Sequence, residues 1–326
     1  MLLSEAMEKY NLARQTEVEN STLTVYAYTL NKLLAYLGDM EIGEITIDDL
    51  RRWRAKLVNT PGRHQPPLEE GQEPRKLSVY TLHRDIRQTR TFFKWCVAEG
   101  ILKNNPAARL ALPKLPRGEP PKAISDEDLE RMIAAAGVAI TERPEISDGR
   151  TRQQRQGMKP YPYERDYAIV RFIAESGCRV GGLVRLRWTD LDLGAKEGTV
   201  QEKGKVSRMV PYGQKTVAAL EAWRKVQPGY TRYVEFVFTS ERGALSTNGL
   251  YRILQRLAVR AGVGGRHNPH SFRHALARRL LKNRADIGTV SELLGHRDID
   301  TTHKFYARWS KPELTERHRR FGGTLD

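Results

Sequence analysis

Cysteine is scarce in this chain. Only Cys96 and Cys178 occur in 326 residues, with no Cys-x-x-Cys pair and no histidine at ligand spacing, which excludes a disulfide framework and a thiolate zinc site. Both read as reduced thiols buried in apolar helices. Long apolar runs are missing too: none approaches the roughly 20 residues of a membrane span. The N-terminus, MLLSEAMEKY, is acidic where a secretory leader is basic and then apolar. The expectation is a cytoplasmic protein with no membrane partner. There is no glycine-rich phosphate loop, no carboxylate cluster, no internal repeat and no low-complexity tract, so nothing calls for a bound nucleotide or a magnesium pair.

Acidic residues are also in short supply. The 39 Asp and Glu face 55 Lys and Arg, a formal net charge of +16. Up to Pro116 the count is 17 basic against 14 acidic, net +3, and the remainder has 38 against 25, net +13. A solubility surplus need not be shared so unequally. A field of this sign draws polyanions and raises the encounter rate with nucleic acid. The hydrophobic share of 39% and charged share of 29% are those of an ordered chain, long enough here for two cores.

From Asn20 to Leu37 apolar residues recur at helical spacing (Leu23, Tyr26, Leu30, Leu33, Leu34, Leu37), and Gly38 stops the pattern. Thr46, with Asp49 three residues on, starts a helix carrying Leu50, Trp53 and Leu57 on one face. The proline-rich stretch from Asn59 to Arg75 reads as a loop. Beyond it Val79, Leu82, Ile86, Phe93 and Val97 form a long helical stripe ending at Gly100. Four or so helices and no strand pattern make a small helical domain.

The segment ALPKLPRGEPPK, Ala111 to Lys122, reads as an extended connector. This sets the expected organisation: a helical domain over 1–112, a linker over 113–123 and a second domain over 124–326. Ser125 and Asp128 cap the first helix of that domain. The arginine-rich stretch between Thr141 and Tyr163 lacks periodicity and reads as a mobile loop, either touching DNA or a disordered insertion. Tyr167 to Val184 reads as one apolar helix. From Thr199 an alternating run turns at Lys203-Gly204 and returns through Val206, Met209 and Val210 to Pro211 as a β-hairpin, and helices resume from Gln214. The expected fold class is mainly α, a helical N-terminal domain followed by a mixed, mostly helical domain with a small antiparallel β-sheet.

Four separated segments carry polar groups that a plain core would not want. In ESGCRVGGLVRLRW, Arg179 follows an apolar stretch beside Gly177, where a guanidinium is costly unless it serves an anion. In EKGKVSRMVPY, Lys203 occupies the hairpin tip. In NPHSFRHALARRLL, His270 and Arg273 stand one helical turn apart and can address one point. In SELLGHRDIDTTHKFY, His296 follows the helix stop Leu293-Leu294-Gly295. Taken singly each has a bland reading: a surface ion pair, a solvated lysine, a structural histidine, an aromatic plug at Phe305-Tyr306. Their order is more informative than any one of them.

The succession Arg, Lys, His-x-x-Arg, His and Tyr resembles the catalytic series of the tyrosine recombinase (phage integrase) family, with its Xer-like site-specific recombinases. The likeness is carried by SGCRVGGLVRLRWTDLD, HSFRHALA and LLGHRDIDTTHKFYAR. TLTVYAYTLNKLLAYLG, ITIDDLRRW and TRTFFKWCVAEGILKNNPA resemble the family's helical, SAM-like core-binding domain, so the resemblance spans nearly the whole chain apart from 141–163.

The resemblance implies an enzyme that cleaves and rejoins DNA through a 3′-phosphotyrosyl intermediate, with Tyr306 as nucleophile. Attack at phosphorus piles negative charge on the nonbridging oxygens, and Arg179 and Arg273 would clamp it, since a guanidinium offers parallel donors and stays charged. A tyrosine hydroxyl, with its pKa of about 10, must lose a proton and the departing oxygen must gain one. By resemblance His270 handles the first and Lys203 supplies the second, with Lys205 the competitor, while His296 holds the phosphate by hydrogen bonding. No metal or nucleotide cofactor is implied, because arginines carry the charge and the phosphotyrosine retains the free energy for religation. The implied partner is double-stranded DNA at a specific site, gripped between the two domains by a homotetramer that is a monomer or weak oligomer without DNA. The implied location is the cytoplasm, on the nucleoid. The C-terminal tail would pack on a neighbouring protomer or on its own domain.

Three positions depart from the family pattern. Gly182 stands three residues after Arg179, where a glutamate is usual, so the clamp is left looser or another acid holds it. Glu202 stands where the lysine motif has its first glycine. Nine residues after His296, the usual tyrosine position, is Phe305, and Tyr306 is tenth, a rotation of roughly 100° on a helix. Ala307-Arg308 matches the pair of residues after the family's tyrosine, which favours Tyr306 and one inserted residue. The alternatives are a non-cleaving DNA-binding protein of the same fold and a type IB topoisomerase-like enzyme.

Overall fold

The computed structural model describes residues 1–62, 76–116, 123–143, 160–202 and 207–295, and single positions at 302, 315, 318, 319 and 322. Most of the expected loop from Asn59 to Arg75, most of the 141–163 segment and much of the linker lie outside the described residues. The chain divides into two compact units, Met1–Glu119 and Pro120–Asp326. It is mainly helical, as expected.

The first unit is built from α1 (Leu3–Arg14), α2 (Asn20–Leu37), α3 (Ile47–Val58) and α4 (Val79–Ala98). Helix α1, which hydropathy does not single out, buries Leu3, Ala6, Met7 and Tyr10 along one stripe. Helix α2 stops at Gly38, whose φ of 76° favours glycine and whose N–H returns to the Leu34 carbonyl. Thr46 and Asp49 cap α3 reciprocally: the Asp49 N–H donates to Thr46 Oγ1 at 3.3 Å and the Thr46 N–H to Asp49 Oδ2 at 2.9 Å. Leu50, Trp53 and Leu57 of α3 then meet Leu30, Leu33, Ile86 and Phe93 in one core. Within it, the fully buried Asp85 is compensated by Lys32 at 2.7 Å and Arg84 at 2.8 Å.

In the second unit α5 (Asp126–Glu142) starts on Ser125, whose hydroxyl accepts the Asp128 N–H at 3.0 Å. The helix expected over Tyr167 to Val184 is instead two: α6 (Tyr163–Ser176) and the short α7 (Val180–Arg185). Gly177 makes the break, with φ 55° and ψ 23°, closing α6 through its N–H to the Ile173 carbonyl at 3.1 Å. Hydropathy misses it because residues on both sides, Ile173, Cys178, Val180 and Leu183, all enter the core. Strands β1 (Leu191–Asp192), β2 (Glu197–Gln201) and β3 (Ser207–Pro211) form an antiparallel sheet in that order. Its hairpin pairs Gln201 with Ser207 and Glu197 with Pro211, as the alternating pattern suggests, and β1 is an added edge.

There follow α8 (Gln214–Tyr230), the short pair β4 (Thr239–Ser240) and β5 (Gly243–Ala244), α9 (Thr247–Arg260), α10 (Pro269–Lys282) and α11 (Ile287–Leu294). The core gathers around α6, whose Ile169, Phe172 and Ile173 are fully buried. Each such side chain contributes about 1.5–3 kcal/mol by leaving water. The Ile124 N–H, reaching the Ser271 carbonyl at 3.3 Å, ties the start of the unit to α10.

Candidate active site

Arg179 is the N-cap of α7, placed directly after the Gly177 turn. His270 and Arg273 lie in the first turns of α10, which is sharply started by Asn268, its side-chain oxygen accepting the Ser271 N–H at 3.0 Å, with Pro269 next. These elements bring the carbonyl ends of two helices onto one group of guanidiniums. At the end of α6, Arg273 donates to the Gly177 carbonyl at 2.9 Å and Arg208 to that of Ser176 at 3.2 Å. At the end of α11, Arg208 donates to Leu293 at 2.5 Å, Arg273 to Leu294 and Arg179 to Gly295 at 3.5 Å. The last carbonyls of a helix lack intrahelical partners and carry the negative end of its dipole. They stabilise buried cations here.

Gly295 closes α11 with φ 61°, and a Cβ there would stand 2.6 Å from Arg208 Cδ, so both backbone angle and space demand glycine.

A single carboxylate sits among the three arginines. Glu202, at the end of β2, is buried, as are Arg208 and Arg273. Its Oε2 accepts from Arg179 Nη1 at 3.0 Å, and its Oε1 from the Arg179 backbone N–H at 3.3 Å and Arg208 Nε at 3.2 Å. Arg273 Nη1 lies 3.8 Å from the same oxygen. Burial acts to raise the Glu202 carboxyl, but the hydrogen bond and charge of Arg179, with the charge of Arg208, hold it below the usual carboxylate range. Among the described residues, three guanidiniums against one carboxylate leave a net charge of +2. Arg179 keeps 32% of its side chain open to solvent, so the excess charge faces outward through it.

His270 keeps an exposed edge beside this cluster. Partial burial of its ring and the charges of Arg273 and Arg179 hold its pKa below the ordinary histidine value, and Glu202 opposes them. This favours the neutral ring, the form that can accept a proton. Its neighbour His274 is pushed down to about 4, by burial first and then by His270, Arg273 and Arg278.

The chain is similar to known proteins. Residues 156–313 match the model of the Phage integrase family and residues 2–111 that of the Phage integrase SAM-like domain. Tyrosine recombinase XerC of Xanthomonas campestris pv. campestris (strain B100) is 31% identical over 90% of this chain and 80% of its own. Tyrosine recombinase XerD of Listeria monocytogenes serovar 1/2a is 30% identical over 92% of each. The chain belongs to the phage integrase family of tyrosine recombinases. It is a site-specific recombinase.

Among solved structures, the Tn1549 transposon integrase in complex with transposon right end DNA is similar with a TM-score of 0.71 at 16% identity, over 99% of this chain and 100% of that one. A lambda integrase dimer bound to a COC′ core site gives 0.68 at 16% identity, over 95% and 99%. These likenesses concern the fold.

Of the recombinase's expected site residues, Arg179, His270 and Arg273 are brought together, while Lys203, His296 and Tyr306 lie outside the described residues, as do Lys205 and Phe305. In the sequence, Lys203 directly follows Glu202 and His296 directly follows Gly295. Sequence reasoning passed over Arg208 and Glu202. Arg208 had a signal: it shares the inward parity of Val210 in the hairpin, where a charge needs a partner. Glu202 showed only as an acid in place of a family glycine.

Proposed function

We propose that this recombinase cleaves and rejoins double-stranded DNA through a 3′-phosphotyrosyl link to Tyr306. Arg179 and Arg273 clamp the scissile phosphate, and His270 accepts the nucleophile's proton. Lys203 protonates the departing 5′ oxygen, and His296 hydrogen-bonds the phosphate. The carrying observation is the cluster of three guanidiniums on one carboxylate among the described residues, with Arg179 partly open to solvent and His270 beside it. A phosphodiester is the anion such a site favours, because its nonbridging oxygens gain charge as attack proceeds. The charge balance along the chain and the DNA-bound state of solved neighbours support the same partner. The working form is a homotetramer on paired DNA sites, in the cytoplasm. No helix among the described residues is long and apolar enough to cross a membrane.

The test uses a duplex enriched from a random pool by binding to the full chain, remade as a set with a single nick at successive positions. The parent protein traps as a covalent adduct on part of the set, and Tyr306→Phe gives none. No adduct from the parent, or an adduct that survives Tyr306→Phe, refutes the reading.

A further inference from the structure

The Glu202 carboxylate has no place in the proton transfers and does not itself hold the phosphate, yet it reaches both arginines of the clamp. One oxygen meets Arg179 Nη1 at 3.0 Å, and the other meets the Arg179 backbone N–H at 3.3 Å, Arg208 Nε at 3.2 Å and Arg273 Nη1 at 3.8 Å. It therefore grips Arg179 at both ends, main chain and guanidinium. A long side chain with 32% exposure has many rotamers to lose, and a fixed anion behind it selects one.

The space beside Gly182 explains why the acid comes from this direction. A Cβ on Gly182 would lie 3.2 Å from the Gln201 carbonyl oxygen and 3.6 Å from Val200 Cβ, so the end of β2 packs onto the backbone of α7 at that point. A side chain leaving position 182 would be directed against this strand, whose next residue is Glu202. Positions 182 and 202 thus converge on one region, and among the described residues the acid there comes from the end of the strand.

We propose that Glu202 is the positioning residue of the phosphate clamp, supplying from the end of β2 the carboxylate that α7 lacks at Gly182, and fixing Arg179 for the scissile phosphate. The inference rests on the clamp role of Arg179 under the proposed function. It predicts an effect transmitted through Arg179 rather than through stability or DNA affinity.

The experiment is a double-mutant cycle on the single-turnover rate of adduct formation at saturating nicked duplex, for the parent, Glu202→Gln, Arg179→Ala and the double variant. DNA affinity and melting temperature are measured alongside, with rates referred to the binding-competent fraction. Losing a charge-assisted hydrogen bond corresponds to a slowing of roughly 10- to 100-fold for Glu202→Gln in the parent. In the Arg179→Ala background the same change should cost only a few-fold. An equal loss in both backgrounds, or no loss in the parent, overturns the inference. A merely structural carboxylate would lower the melting temperature and the competent fraction but give no such coupling. If Glu202→Gln does not fold, Glu202→Asp runs the same cycle, since it keeps the charge but withdraws it by one methylene. Failure of the Tyr306 assignment would show as no parent adduct or as an adduct that survives Tyr306→Phe, whereas failure of this inference shows only in the Glu202 and Arg179 variants.

Discussion

Replacing Gly177 by alanine tests whether the turn between α6 and α7 carries the site. The residue sits at φ 55° and ψ 23°, in the left-handed region. An L side chain there costs roughly 1–2 kcal/mol, partly offset by the 0.4–1 kcal/mol that alanine removes from the unfolded chain's freedom. The new Cβ would also stand 2.7 Å from Leu276 Cδ2 and 3.4 Å from Leu294 Cδ2. Leu276 Cδ2 is the end of a flexible side chain, so the contact is relieved by an off-rotamer shift of about 0.5–1.5 kcal/mol.

The sum is about 0.5–3 kcal/mol, or roughly 1–12 °C in melting temperature for a domain of this size. Because the Gly177 carbonyl accepts from Arg273 at 2.9 Å and Arg179 follows two residues later, adduct formation should slow more than stability alone explains. Scanning calorimetry and adduct rates on the full chain measure both. Adding Leu276→Ala relieves the contact but not the backbone strain, so the rate should recover only in part. A melting temperature within 1 °C of the parent would refute the strain argument, and full recovery in the double variant would refute the backbone share of it.

Three further outcomes are expected. Arg179→Ala should slow adduct formation by roughly 10²–10³-fold while DNA affinity changes little, whereas Arg273→Ala should also lower the melting temperature, because the Gly177 and Leu294 carbonyls lose a buried donor. Single-turnover rates, titrations and melts separate the two, and equal stability losses would contradict the geometry. His274, held down to about 4 against an unfolded value near 6.5, favours the fold only while neutral. Its contribution is fully present above pH 6.5 and is lost as pH falls from there towards 4, so His274→Gln should flatten the acid side of a denaturation-against-pH curve. An unchanged curve would count against the burial of that ring. Finally, EDTA should leave adduct formation unaltered, since the arginines supply the positive charge at phosphorus. A rate restored only by added magnesium would overturn that mechanism.

Much was legible in the order of residues. The stripes of α2, α3 and α4, the caps at Thr46 and Ser125, the stop at Gly295 and the hairpin from Thr199 to Pro211 are local features, and local spacing reveals them. The family's motifs likewise lie in short segments. The break at Gly177 was not legible, because apolar residues continue on both sides and a hydropathy period does not register one left-handed turn. Helix α1 was missed since its buried stripe is short, four residues of which one is an alanine.

By itself the sequence determined the family, the helical class and the positive net charge, and it named the candidate groups for the chemistry, because these depend on residue type and short-range spacing. Only the tertiary structure decided what holds those groups. Glu202 meets Arg179 across 23 positions, and Arg179 meets the Gly295 carbonyl across 116. Contacts between such distant positions leave no period in the chain, and their strength comes from burial that exists only once α6, α10, α11 and the hairpin have packed.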